Sequence, residues 1–227
     1  MESQKKPAQN QTLGSILKNS LLAAFGLFCF GVGVYLTIQA NIGVAPWDTL
    51  YLGVNRVTGI QYGTISIITS FVVIGIDLLL KERIGIGMLL DALIVGKTVD
   101  LMNWLNPVPA QQNLFTGILV MLAGLAVMGF SQYLYMTAAL GCGPRDSLLV
   151  ALNKRIKNVS AGTVWTGILI TVFLIGWALG GPVGIGTIIA VCLQGVFMQL
   201  AFNIMKFKPT EVEHQDLVQS LRVIFRK

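Results

Sequence analysis

Two aspartates stand in almost the same phrase at two places in the chain, ANIGVAPWDTL at residues 40–50 and AALGCGPRDSL at residues 138–148. Pro46 and Pro144 suit the first turn of a helix, where the missing N–H would have had no partner in any case. Asp48 and Asp146 then fall at the third helical position, followed by the small hydroxyls of Thr49 and Ser147. Two chemistries fit a carboxylate placed there. As a cap it accepts free backbone N–H groups and offsets the positive end of the helix dipole. At a broken helix inside a membrane it binds a cation or a proton and couples it to movement. Gly43 and Gly141 ahead of the prolines would let the chain reverse tightly or let helices approach closely.

The copies differ beside the acid, where Trp47 in the first is replaced by Arg145 in the second. An arginine at a helix start, next to backbone N–H groups, would make an anion site. Equally, it could pair with Asp146 or Asp48, or serve only as a cytoplasmic positive charge. Four more ionisable residues, Asp77, Asp91, Lys97 and Asp100, occur within apolar segments of the first half only. Lys97 and Asp100 are three apart on one helical face and could neutralise each other. Asp77 and Asp100 lie close to segment ends, within reach of headgroups or of loop bases such as Lys81. Asp91 lies deeper with no cation at helical spacing, which makes it the better functional candidate of the four.

Other chemistries find little footing. Cys29, Cys142 and Cys192 show no CxxC or Cys/His spacing and read as buried small apolar residues, so no metal and no cofactor is expected. There is no Gly-x-Ser-x-Gly elbow and no His-Glu-x-x-His helix, and the single histidine, His214, lies in the C-terminal tail. The glycines of IGIG at 84–87 follow no strand and carry no nucleotide signal. The chain is therefore not expected to be an enzyme.

The elements that must hold these residues follow from composition. With 54% hydrophobic and 11% charged residues and a mean hydropathy of +0.73, this is the balance of a polytopic membrane protein. Six stretches approach the roughly 20 residues a spanning helix needs, near 17–40, 62–80, 84–103, 114–137, 161–180 and 183–205. They are long and continuous, unlike the alternating strands of a barrel. The first is too long for a signal peptide and is read as retained. The third and sixth, IGIGMLLDALIVGK and VGIGTIIAVCLQG, carry small residues suited to close packing. The tail from Lys208 reads as an amphipathic helix, with Leu217, Leu221, Ile224 and Phe225 on one face and bases that favour anionic headgroups.

Orientation follows from lysine and arginine. With the N-terminus inside, the cytoplasmic side collects Lys5, Lys6, Lys18, Lys81, Arg83, Arg145, Lys154, Arg155, Lys157 and the tail bases, and only Arg56 falls outside. The loop PVPAQQN at 107–113 and the turn Gly180, Gly181, Pro182 carry no positive charge, as external loops should. The net charge of +6 thus reports orientation, and no nucleic-acid partner is implied.

Internal repetition is the strongest signal. Sliding the first half by 98 positions places Gly31, Tyr35, Ala40, Gly43, Pro46, Asp48, Leu50 and Asn55 on Gly129, Tyr133, Ala138, Gly141, Pro144, Asp146, Leu148 and Asn153. After a one-residue insertion, Gly63, Gly85, Gly87 and Gly96 fall on Gly162, Gly184, Gly186 and Gly195. Shared hydrophobicity does not match Gly, Pro, Asp and Asn. The expected fold is all-α, six transmembrane helices as two three-helix repeats with broken helices at the Gly-x-x-Pro-x-Asp motif. Three helices per copy is an odd number, so the copies enter the membrane from opposite sides as an inverted repeat. The expected boundaries are a cytoplasmic segment at 1–16, repeats at 17–103 and 114–205, an external linker at 104–113 and a cytoplasmic tail at 206–227.

The doubled Gly-x-x-Pro-x-Asp-[Thr/Ser]-Leu phrase resembles that of the YczE-like group of bacterial integral membrane proteins, related more distantly to the YitT-like ones. The resemblance covers both repeats and leaves the N-terminal 15 residues and the tail outside. It implies a location in the bacterial cytoplasmic (inner) membrane and little about substrate. The function expected from the residues is that of a small secondary transporter of a metabolite or ion, its site between the repeats. Asp48, Asp146 and Asp91 would be its acids, Arg145 an anion anchor, Trp47, Thr49 and Ser147 further lining, and Gly43, Pro46, Gly141 and Pro144 the shapers of the break. The alternative is a non-transporting membrane component that supports a biosynthetic, envelope or regulatory partner. Expected partners are the lipid bilayer and a small solute, and a chain this short could need a second copy, as a homodimer, to enclose a path.

Overall fold

The computed structural model describes residues 13–82, 84–141, 143–156 and 159–207. Among them the chain is all-helical, with eight helices and no strand: α1 (Leu13–Gln39), α2 (Pro46–Thr58), α3 (Tyr62–Leu79), α4 (Ile86–Leu105), α5 (Leu114–Thr137), α6 (Pro144–Arg155), α7 (Ala161–Ala178) and α8 (Ile185–Ile204). The expected N-terminal cytoplasmic segment as far as residue 12, together with Arg83, Cys142, Lys157 and the expected amphipathic tail with His214, lies outside the described residues.

Five of the long helices, α1 from Leu17, α3, α5, α7 and α8, are long and apolar enough to cross a membrane. The sixth, α4, has 20 residues and is set apart by Asp91, Lys97 and Asp100. Each of the two short helices begins at a repeated proline. Helices α2 and α6 start at matched positions, and α3 with α7 and α4 with α8 coincide at both ends once the one-residue insertion is counted.

The break between α1 and α2 is made by backbone that helices cannot hold. Asn41 and Gly43 take positive φ of 53° and 101°, and the matched Ala139 and Gly141 take 56° and 112°. At Gly43 and Gly141 such a φ costs little, because there is no Cβ to clash. Ala45 and Gly143 are then extended, as a residue before proline prefers, and Pro46 and Pro144 open the new helices.

Small residues decide how the helices meet. Helices α1 and α5 run antiparallel in close contact: a Cβ on Gly26 would stand 2.9 Å from the Tyr135 nitrogen, one on Gly33 2.6 Å from Met128, and one on Gly117 2.7 Å from the Ala40 carbonyl. Helix α4 packs along α1 and α8 along α5, through Gly31 on Thr98 and Gly129 on Phe197, again at matched positions. The short helices exchange partners. Helix α2 packs mainly on α7, where Gly53 meets Gly176, while α6 packs mainly on α3. Each break also docks on the other copy, with the Gly186 N–H donating to the Ile42 carbonyl at 2.7 Å and the Gly87 N–H to the Leu140 carbonyl at 2.8 Å. These bonds satisfy carbonyls that a broken helix in a bilayer would otherwise leave bare.

One matched pair of seams differs. Helix α3 closes on α4, where a Cβ on Gly96 would stand 2.7 Å from the Gly63 carbonyl, and one on Gly63 would overlap the Gly96 carbonyl and the Asp100 carboxylate. No comparable packing joins α7 to α8 among the described residues. Gly195 has open space where Gly96 has Gly63, and Gly162 meets only Ser160.

Three expectations about side chains are corrected. Lys97 and Asp100 do not pair among the described residues: Lys97 is exposed, and Asp100 turns to the start of α3, its Oδ1 accepting from the Gly63 N–H at 2.8 Å. Asp77 is fully buried rather than at a surface that headgroups reach. It stands where α7 has Gly176, close to the Ser147 hydroxyl, and neither carboxylate oxygen has a well-formed hydrogen bond. Of the cysteines, Cys29 is half-buried and Cys192 exposed, because Cys192 lies on the outer face of α8.

Candidate functional site

A cavity of about 410 Å³ lies at the centre of the fold, between the two breaks. Helix starts supply its charge: Trp47 and Asp48 come from the first turn of α2, and Arg145 and Asp146 from the first turn of α6, beside Pro46 and Gly143. Asp91, on the second turn of α4, completes it. The fold therefore brings together six of the residues singled out from sequence, Pro46 included, although they are scattered over a hundred positions.

The acids are held differently. Asp48 is buried and accepts a 2.6 Å hydrogen bond from the Tyr62 hydroxyl. Asp91 and Asp146 converge on the cavity: a Cβ placed on Gly143 would stand 3.2 Å from Asp91 Oδ2 and 3.8 Å from Asp146 Oδ2. The N-cap residues themselves, Ala45 and Gly143, have no side-chain cap, and Asp48 and Asp146 stand in the first turns of α2 and α6, where a carboxylate offsets the positive end of the dipole.

Arg145 is placed by aromatic rings. Its guanidinium lies 5.0 Å from the centre of the Trp47 ring and 5.5 Å from that of Tyr51, and one Nη donates to the Tyr51 hydroxyl at 3.1 Å. Tyr51 in turn meets Tyr62 edge to face, with ring centres 5.4 Å apart. No ion pair joins Arg145 to an acid among the described residues, where the pairs are Lys154 and Arg155 with Glu82. The guanidinium nevertheless acts electrostatically on Asp48, Asp91 and Asp146. Arg145 is thus neither a free cytoplasmic charge nor half of a salt bridge. It is a cation stacked on aromatic faces beside a cavity with three carboxylates, a geometry in which cation–π attraction contributes roughly 0.5–2 kcal/mol.

Not every expected residue reaches the cavity. The Thr49 hydroxyl bonds back to the Ala45 carbonyl at 3.1 Å, inside its own helix, and Ser147 is buried on the side facing α3. Gly43, Gly141 and Pro144 shape the breaks without lining the cavity, and Pro46 does both. Several lining residues escaped sequence reasoning: Ser66, Ser70, Gln132, Tyr135, Trp165 and Gln194. Gln132 and Gln194 left a legible signal, since an amide in an apolar span needs a polar surround. Ser66 and Ser70 left none, because small hydroxyls are satisfied within any helix. The matched positions are chemically unlike: Ser66 and Ser70 on α3 correspond to Trp165 and Leu169 on α7, and Asp91 on α4 to Ala190 on α8.

A sequence profile described as a family of unknown function, DUF6198, matches residues 17–203. Among curated proteins, the chain is 30% identical over 178 residues to the uncharacterized membrane protein YczE of Bacillus subtilis, covering 78% of this chain and 81% of that protein. It is 31% identical over 202 residues to an uncharacterized protein of Haemophilus influenzae, covering 89% and 88% of the two chains. It is 28% identical over 189 residues to the uncharacterized protein YyaS of Bacillus subtilis, covering 80% and 90%. No solved structure matches it.

Proposed function

The chain belongs to the DUF6198 family, and on that footing we propose that it is a small secondary transporter of a metabolite or ion. Its six long helices cross the bacterial cytoplasmic membrane, α4 included, with both termini in the cytoplasm. Residues 17–103 and 114–205 form two inverted repeats around the central cavity, with 104–113 an external linker. The antiparallel run of α1 against α5 supports the inversion, since matched helices of the two copies point opposite ways. Charge on α4 is no obstacle, because Asp91 faces the cavity and Asp100 bonds to α3, as intramembrane charges do.

The observation that carries transport is the pair of unequal seams. With the termini inside, the closed Gly63–Gly96 seam lies toward the external face and the parted Gly162–Gly195 seam toward the cytoplasm. The cavity reaches the parted seam through Trp165 and Leu169 on α7 and Gln194, Gly195 and Met198 on α8. Two copies of one unit in two conformations are what alternating access requires: exchanging the conformations closes one side and opens the other. A purely architectural repeat gains nothing from the difference.

Cysteine labelling tests this in a cysteine-free background. Met198→Cys lines the cavity on α8, and Val99→Cys is its fully buried match on α4. Transport requires Met198→Cys to react with a membrane-impermeant thiol reagent from the cytoplasmic face, and Val99→Cys to react from the external face in a minority state. A protein in which Val99→Cys never reacts from outside, while Met198→Cys always reacts from inside, has a fixed cavity. The proposal then fails in favour of a non-transporting component that supports a partner.

A further inference from the structure

The cavity's charge is distributed in a way that specifies a ligand, and this inference rests on the transport reading of the same site. At its α4 and α6 side stand Asp91 and Asp146, two carboxylates close to one point and in no ion pair among the described residues. Asp48 is different, because the Tyr62 hydroxyl already bonds it. On the α2 side the cavity offers donors. Trp47 is 6% exposed and lines the cavity, while its Nε1 is itself buried from that space. Arg145 lies against the same ring and spends one Nη on Tyr51, which leaves other N–H groups of its planar fork to donate.

Acceptors on one side and donors on the other, within about 410 Å³, fit a molecule with a cation at one end and an anion at the other. The remaining wall is mainly apolar, with Leu27, Val34, Val95, Met128 and Leu169, and carries Ser66, Ser70, Gln132 and Gln194 as its neutral polar positions. We propose that the cavity binds an amino-acid-type zwitterion with an apolar side chain, its ammonium on Asp91 and Asp146 and its carboxylate on Arg145. A primary ammonium has three N–H donors, enough to serve two carboxylates, and a carboxylate accepts from the planar fork of a guanidinium. The bare acids alone would suit an inorganic cation. An arginine held over the Trp47 and Tyr51 rings, and in no ion pair with an acid among the described residues, is what calls for the anionic end as well.

The test uses the whole purified protein in detergent, with melting temperature and binding calorimetry as readouts. The probes are L-leucine, its decarboxylated half isoamylamine, its deaminated half isocaproate, and sodium and potassium ions. L-leucine should raise the melting temperature and each half should bind at least tenfold more weakly. Asp91→Asn should weaken L-leucine and isoamylamine at least tenfold while sparing isocaproate. Arg145→Gln should weaken L-leucine and isocaproate while sparing isoamylamine. Equal binding of isoamylamine and L-leucine overturns the assignment in favour of an organic cation, and stabilisation by an alkali ion alone overturns it in favour of an ion site. If L-leucine binds and Val99→Cys stays sealed from outside, the ligand class stands and transport fails. If the labelling exchanges and no L-leucine binds, transport stands and the ligand class fails.

Discussion

The seam difference makes two alanine substitutions behave oppositely, although both replace glycine at an inter-helix position. In Gly63→Ala the new methyl would stand 2.6 Å from Asp100 Cγ, with the Gly96 carbonyl nearer still. Overpacking of that kind costs typically 1–3 kcal/mol. In Gly195→Ala the methyl meets nothing within 4 Å, so the conformation of this structure is untouched. If exchange brings Gly195 to Gly162 as Gly96 meets Gly63, the same cost falls on the other conformation. A bias of about 1–3 kcal/mol shifts a two-state ratio about 5- to 150-fold. Gly63→Ala should therefore raise external labelling of Val99→Cys by one to two orders of magnitude, and Gly195→Ala should suppress it by as much. Labelling rates in oriented vesicles, with melting temperature as a folding control, decide the matter. Equal effects of the two substitutions, or lowered melting with unchanged labelling in both, would refute the exchange.

Three further outcomes follow from the same geometry. Ala110→Cys and Pro182→Cys, both exposed in inter-helix connections, should react only from outside the cell and Lys81→Cys only from the cytoplasm; any reversal breaks the inverted topology. Tyr62→Phe removes the donor to the buried Asp48 carboxylate, at a cost of roughly 1–3 kcal/mol. At about 2–4 °C per kcal/mol for a chain of this size, melting should fall by several degrees, and an unchanged melting temperature would mean that Asp48 has another partner. Asp77→Asn removes a buried carboxylate without a well-formed hydrogen bond, a group that is expensive to keep charged. Its melting temperature should hold or rise, and a clear fall would show that the charge is used.

What the sequence made legible were the features that recur. Gly43, Pro46 and Asp48 could be recognised because Gly141, Pro144 and Asp146 repeat them in register, and backbone breaks leave a chemical trace in glycine and proline. Asp91 could be singled out because a lone acid deep in an apolar run has few stable surroundings other than a polar cavity. Partner choice left no such trace. Periodicity placed Asp100 beside Lys97, whereas tertiary packing gave Asp100 the free N–H of Gly63 and turned Lys97 outward. The helix-start rule placed Asp48 and Asp146 in the first turns of their helices, where they stand, but gave no sign that Tyr62 of the same copy would bond the first or that both would line one cavity.

The repeat hides as much as it reveals. Matching positions draws attention to what the copies share, yet the cavity's chemistry lies mainly in where they differ: Trp47 against Arg145, Ser66 against Trp165, Asp91 against Ala190. Identical copies would line a cavity with a symmetric surface, which has no reason to hold an asymmetric solute in one pose. On the transport and ligand proposals above, divergence at the lining, with identity kept at the glycines that set the seams, would let one backbone motion serve both faces while unlike ends held the ligand. The same separation explains why composition and periodicity recovered the helices and breaks but could not supply a substrate. Backbone geometry is written twice in this chain, and the chemistry of the cavity lining is written once.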